Sequence, residues 1–519
     1  MPCAMWGRKE FKMSKKDLNN GLRRTKVAPL SQNWDMEADV VVVGFGGAGA
    51  AAAMEAHDAG AEVMVLEKAP SNLAGGNTGC CAGYMLVPSS VAEGVDYYRA
   101  LAFGTVNDEE LIYTMAKEIV GVPDWLKGLD APLVAEDRQM PGTFPTLPGS
   151  RVDQILVKGG GHVAFKILEE NVKRRGIKVL YETSGEQLIH DPSTMEIHGV
   201  LSRKNNENSY VKARRGVILA CGGYQNNQEM LGNFNYPGIR FCHSGTPYNT
   251  GDGIMMAARA GAKLWHMASL EIMNFAIKAP SDLFNCSASL PYHPMNGSYI
   301  FVNKYGKRFM PESRRLGHYK GDIEASNFDH SHAEYPNMPP YLVFDENFRK
   351  QGPLVPEQNL GPQTLTWMIV HKLYKWSEDN SREIEKGWIV KGDTIGELAE
   401  KLGIEAQGLA ETVEKFNAYC ERSSDPEFKR GPNSMSPLQS PPFYGTELGL
   451  NIINTQGGPA HNARCQVIGG NNEPIPKLYA AGELGSFFGH LYQGGSNFPE
   501  ALAFGRIAGR NAAMEVPWE

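Results

Sequence analysis

The segment ADVVVVGFGGAGAAAA, residues 38–53, decides the fold of this chain. Val40 through Val43 form an unbroken β-branched run, the pattern of a strand buried on both faces. The turn Gly44-x-Gly46-x-x-Gly49 follows at once and opens an Ala-rich helix that runs through His57 and ends near Gly60. A second apolar run at 62–66 closes a short βαβ unit, the setting in which this fingerprint binds a dinucleotide. Gly44 allows the tight turn, Gly46 lets the backbone approach a pyrophosphate, and Gly49 lets the helix pack on the strand. With Gly47 and Ala48 they set a helix amino terminus, with its unpaired N–H groups, toward the phosphates. Glu67, followed by Lys68, ends the second strand; an acid there suits a ribose diol and disfavours a 2′-phosphate.

NAD and FAD share this fingerprint, so the rest of the chain must choose. A second Gly-rich turn, Gly75-Gly76-Asn77-Thr78, lies close behind the first, and no second GxGxxG unit occurs for a nicotinamide. One nucleotide site with a long cap points to a tightly held flavin, FAD. Further along, 106–128 and 163–175 read as helices, 178–181 as a strand, 194–213 as a hairpin turning at 205–208, and 216–220 as another buried strand. From about 265 the chain turns rich in Pro, Asn, His and aromatic residues. Helices are expected at 394–402 and 404–420, split by Gly403, then a Pro/Ser-rich loop at 424–446, a strand at 478–480 and a helix at 498–514. The fold class is therefore α/β: a Rossmann-type FAD-binding domain (37–260 and 441–519) with an inserted α+β cap, or substrate, domain (261–440), behind an N-terminal arm (1–36).

Composition narrows the function classes. The 519 residues carry a net charge of -7, which gives no electrostatic case for nucleic acid or an anionic membrane. No apolar run is long enough to span a bilayer, and the polar, basic N-terminus lacks the apolar core of a secretory signal, so a cytoplasmic location is expected. The eight cysteines form no CxxC, so no iron–sulfur, zinc or other metal site is expected, and the thiols read as reduced and buried.

Six segments carry a resemblance to the flavoprotein family of soluble fumarate reductases, succinate dehydrogenase flavoprotein subunits and 3-ketosteroid dehydrogenases. They are the opening fingerprint with LEK (66–68), GGNTGCCAGYM (75–85), VILACGGY (217–224), TGDGIMMAARAGA (250–262), FVNKYGKRFMPES (301–313) and YAAGELGSFFGHLYQGGSNFPEALAFGRIAG (479–509). The resemblance implies that Glu67 binds the adenosine ribose, and that Gly76, Asn77, Thr78 and Gly83 lie along the pyrophosphate and flavin. It puts Ala220, Gly222 and Asp252 on the adenine side and Glu483 at the ribityl chain. The 497–502 turn, Asn497 to Leu502, would aim a helix amino terminus at the flavin, where it stabilises the reduced anion. No His stands in residues 75–78, so the FAD is expected to be non-covalent.

The substrate loop reads His490-Leu-Tyr-Gln-Gly-Gly-Ser-Asn497, and Tyr492 stands where fumarate reductases carry a carboxylate-binding Arg. The spacing of Tyr492 and Ser496 instead resembles ketosteroid dehydrogenases, in which a Tyr hydroxyl and a backbone N–H hold a ketone oxygen. Such donors stabilise an enolate. Thr455-Gln-Gly-Gly-Pro459 also resembles that subfamily, whereas Ala-Gly-Glu483 follows the fumarate reductase style. Tyr492 as a packed aromatic and His490 as a plain loop histidine stay open as alternatives. Tyr319 is the first choice for the proton and Arg315 the second. The expected activity is reduction or formation of a C=C conjugated to a ketone, in a 3-oxo-steroid or bile-acid-like nucleus, with an unidentified electron donor or acceptor. The alternatives are an ene-reductase of other enoates, urocanate-like or cinnamate-like, and a flavoprotein electron-transfer subunit.

Overall fold

The computed structural model describes residues 33–239, 241–277, 287–290, 295–312, 323–355 and 367–518. The β-branched run lies in the strand Met36–Val43, where Val40 through Val43 are buried. It pairs in parallel with Val63–Leu66 on one side and Glu207–Leu219 on the other, so Val42 sits between Val65 and Ile218. Lys178–Leu180 and Pro474–Ala480 extend the parallel sheet outward, and the short Gln466–Ile468 adds an antiparallel edge. The order reverses at Met36–Val43, which leaves a crevice at its carboxyl end, the place where open α/β sheets bind ligands.

Two expectations about this sheet change. The hairpin turn is the pair Asn205 and Asn206, both at positive φ (49° and 65°), a conformation Asn tolerates. The strand after it, Glu207–Leu219, runs unbroken into what the sequence reads as a separate buried strand. The Ala-rich helix is Gly47–Asp58, and the last helix, Asn497–Met514, lies directly on it. A Cβ on Gly505 would sit 2.4 Å from the Ala48 carbonyl oxygen, so only glycine permits this backbone approach. That contact brings the amino end of the last helix beside the Gly-rich turn.

A second sheet of seven strands is organised around Phe443–Thr455, which pairs antiparallel with Leu270–Ile277, Tyr341–Asp345 and Val390–Gly392. Its central strand begins inside the stretch expected to be a loop. Helices Ile395–Leu402 and Ala406–Glu421 flank it, separated by Gly403 at φ 72°. A three-stranded sheet of Tyr84–Pro88, Leu133–Pro141 and Arg151–Val157, and the helix Val91–Ala102 capped by Ser90, are further elements that the sequence reading does not single out. Among the described residues no helix is long and apolar enough to cross a membrane.

Candidate nucleotide and substrate site

The carboxyl ends of the central strands open onto one cavity, part of it open to solvent. Gly44, at φ 104°, makes the first turn; a Cβ there would stand 2.4 Å from the Ala220 carbonyl oxygen. At Gly46 a Cβ would meet nothing nearer than the Gly75 oxygen at 3.6 Å, so the room above it is left for a ligand. Helix Gly47–Asp58 has no side-chain cap, and its first residues, Gly47 and Ala48, line the cavity. The Gly47 N–H donates to Thr78 Oγ1 (3.1 Å), which ties the second Gly-rich turn to the first. Gly76, Asn77, Thr78 and Gly83 form that wall. Gly49 and Leu502 do not line the cavity: Gly49 packs beneath the first turn, where a Cβ would stand 2.0 Å from the Gly44 carbonyl oxygen, and Leu502 is fully buried.

At the other end Lys68 Nζ reaches Thr250 Oγ1 (2.7 Å) and Asp252 Oδ2 (2.8 Å), beside Ala220 and Gly222. Glu67 is buried between. Its Oε2 accepts the Phe45 N–H (2.7 Å) and its Oε1 the Ala69 N–H (2.6 Å). Burial pushes this carboxyl above its ordinary value, and the two N–H groups pull it back. Each oxygen keeps a second lone pair for a ribose hydroxyl. Asn249, which the sequence reading does not single out, lines the cavity with a buried Nδ2 that has no acceptor among the described residues.

Asn77 has a different role from a plain ligand contact. Its Nδ2 donates to Glu483 Oε2 (2.8 Å) and the Ile453 carbonyl (3.2 Å), while its Oδ1 accepts from Gln225 Nε2 (3.2 Å) and the Thr246 N–H (3.0 Å). All four of its hydrogen-bonding positions join protein segments. Glu483 also accepts the Thr455 N–H (3.1 Å), and burial raises its pKa to about 7. Glu500, inside the first turns of the last helix, is raised to about 7 for the same reason; it holds the Phe487 N–H (2.7 Å), the Ser486 hydroxyl (2.9 Å) and Asn497 Nδ2 (3.0 Å).

Tyr492 lies buried on the cavity wall, and its hydroxyl oxygen accepts the Asn497 N–H (3.3 Å) at the start of the last helix. Burial pushes the phenol well above its ordinary 10, so it keeps its proton. Ser496 is fully buried and does not line the cavity; its N–H, expected beside Tyr492 at a ketone oxygen, instead closes a turn onto the Gln493 carbonyl (3.1 Å). His490 is not brought to the cavity: it is exposed and rests against Phe103, ring centroids 5.3 Å apart. Tyr319 and Arg315 lie outside the described residues.

Residues 39–498 match the family model described as FAD binding domain. The chain belongs to this family. Among curated proteins the flavoprotein is similar to NADH:fumarate oxidoreductase of Klebsiella pneumoniae, 28% identical over 92% of this chain and 48% of that protein. It therefore spans about half the length of that relative. Digoxin reductase of Eggerthella lenta is 27% identical over 95% of this chain and 90% of its own length. The 3-ketosteroid delta1-dehydrogenase from Sterolibacterium denitrificans shares the fold, with a TM-score of 0.73 at 21% identity over 92% of this chain and 99% of that one. The flavoprotein is an FAD-dependent oxidoreductase, similar in sequence to fumarate reductases and sharing its fold with a ketosteroid dehydrogenase.

The cavity fits FAD. Open space over Gly46, a helix start with a glycine N-cap, a buried carboxylate with spare lone pairs and an Asn249 Nδ2 without an acceptor among the described residues suit phosphates, ribose and a polar base edge. Sequence reasoning missed Thr183 and Ser184, which also line the cavity. They follow the outer parallel strand Lys178–Leu180, and the rule that placed Glu67 at a strand's carboxyl end would have found them.

Proposed function

We propose that this flavoprotein adds or removes hydrogen across a C=C bond conjugated to a ketone, with a 3-oxo-steroid or bile-acid-like nucleus as the substrate class. The observation that carries the reading is Tyr492: a buried phenol on the cavity wall, kept protonated, anchored through its oxygen to the amino end of the last helix. A neutral phenol can donate as well as accept, and a donor held in a buried site stabilises an enolate oxygen. Bound FAD supplies hydride chemistry at the β-carbon. Tyr319 or Arg315 handles the α-proton. An external electron donor or acceptor completes the cycle. The segment 261–440 serves as the cap over this end of the site, and the FAD is held without a covalent bond.

The test is anaerobic. The photoreduced flavoprotein is mixed with 3-oxo-Δ4 and 3-oxo-Δ1 steroids, simple enones, urocanate, cinnamate and fumarate, and return of the oxidised flavin band is followed. Fast reoxidation by an enone steroid and slow reoxidation by fumarate are expected. Fumarate rates equal to the best steroid rate would overturn the reading, and a preference for urocanate or cinnamate would move the substrate class to enoates. Heat-denatured protein should release FAD.

A further inference from the structure

The loop that carries Tyr492 takes its shape from groups outside the cavity. Gln493 is fully buried and does not line the cavity. Its Oε1 accepts the Tyr97 hydroxyl (2.6 Å) and the Thr143 N–H (2.9 Å), and its Nε2 donates to the Gly494 carbonyl (2.8 Å). The Gly494 N–H returns to Thr143 Oγ1 (3.0 Å), and the Tyr97 oxygen accepts the Phe144 N–H (3.3 Å). The backbone carbonyl of Gln493 takes the Ser496 N–H, the bond that turns the chain into the last helix. Next to Tyr97, Tyr98 packs on Phe487 and Phe488, and Phe488 stands edge-on to Tyr492 at 5.1 Å. One glutamine thus bolts the loop to helix Val91–Ala102 and to the 143–144 segment, both far away in sequence. Burial holds Tyr97 up at about 12, so this clasp keeps its donor at any working pH.

We propose that Gln493 is a positioning residue: from outside the cavity it fixes where the Tyr492 hydroxyl and the amino end of helix Asn497–Met514 point. This rests on the role given to Tyr492 above. The Leu86 N–H to the Gly495 carbonyl (3.4 Å) and the Phe488 contact tether the same loop without passing through Gln493. What the extra bonds add is orientation of the residue immediately before it.

A double-mutant cycle tests this on the FAD-loaded protein with the best substrate found. Gln493→Met should lower kcat roughly tenfold to a hundredfold, the scale of a misplaced catalytic group, with FAD content and the resting flavin spectrum kept. In the Tyr492→Phe background the same change should alter kcat by less than about twofold, the usual tolerance of additivity. Gln493→Glu keeps an acceptor for Tyr97 and Thr143 but turns its other oxygen on the Gly494 carbonyl, so recovery is expected only at a pH low enough to protonate the new carboxyl, which then donates to that carbonyl. If Gln493→Met fails to fold, Tyr97→Phe, which removes one arm of the clasp, takes its place in the cycle. Equal costs in both backgrounds, or no cost in the parent, overturn the positioning role and leave Tyr492 standing. A Tyr492→Phe variant with full activity overturns both.

Discussion

Replacing Glu67 by Ala is expected to damage the fold as well as the cofactor site, because the carboxylate serves the protein before it serves a ribose. Two buried N–H groups, of Phe45 and Ala69, end on its two oxygens at 2.7 and 2.6 Å. Truncation orphans both, and a buried donor left unmade costs about 1–3 kcal/mol, so the pair costs roughly 2–6 kcal/mol. Removing the buried charge returns part of its desolvation cost, seen in the raised pKa, which places the net loss toward the lower end of that range. Glu67→Gln keeps one acceptor and sets an amide N–H₂ against the other donor, so its loss should fall between parent and Ala. The assay is thermal melting of the apoprotein by near-UV circular dichroism, alongside FAD titration by quenching of flavin fluorescence. The apo measurement isolates the fold, since ligand binding adds its own stabilisation. Apo Glu67→Ala melting within about 1 °C of the parent while FAD affinity falls would refute the reasoning, since a loss of even 1 kcal/mol moves a midpoint by more than that in a cooperative unit of ordinary size.

Other perturbations test other parts of the molecule. Tyr492→Phe should cost roughly 2.7–4 kcal/mol of transition-state stabilisation, read as a fall in kcat/KM, with FAD retention unchanged. Glu500, raised to about 7 from its ordinary 4.5, favours folding in its protonated form. Its contribution, on the order of 3 kcal/mol, is whole below pH 4.5 and lost as pH rises through about 7. Apoprotein melting should therefore fall more steeply between about pH 5 and 8 in the parent than in Glu500→Gln. Arg308→Met leaves the fully buried Glu312 and Asp425, now 2.6 and 2.8 Å from the guanidinium, without it; a loss of about 3–5 kcal/mol is expected, seen as a lowered melting temperature.

The nucleotide half of the site was legible because it is local. Four valines, one Gly-rich turn and an acid at the next strand end are contiguous in the chain, and each enforces its geometry by sterics or by backbone hydrogen bonding within a few residues. The structure keeps Gly44, Gly46 and Glu67 in those places. The long strand Glu207–Leu219 was read as two pieces because its middle, Arg214-Arg215-Gly216, breaks the apolar pattern; pairing with Met36–Val43 and the Arg214 bond to Asp39 (3.0 Å) override it. Asn77 shows a further limit. A motif gives the residue's address, and the resemblance gave it a cofactor contact, yet its amide joins Glu483, Ile453, Gln225 and Thr246 across four separate stretches of chain.

The substrate end was less legible for the same physical reason, carried further. Tyr492 supplies a donor, and the sequence could name it from its spacing to Ser496. Where that donor points is decided by Gln493, Tyr97 and Thr143, of which the last two sit some 350–396 residues from Gln493 along the chain. No local periodicity encodes a bond of that span. His490, two residues from the cavity residue Tyr492 yet exposed, makes the same point from the other side: within a loop, residues close in sequence face opposite ways, and only the long-range clasp says which. A tyrosine at this position specifies the kind of group set on the cavity wall, and in the proposed clasp the direction of that group is set by residues that no loop motif contains.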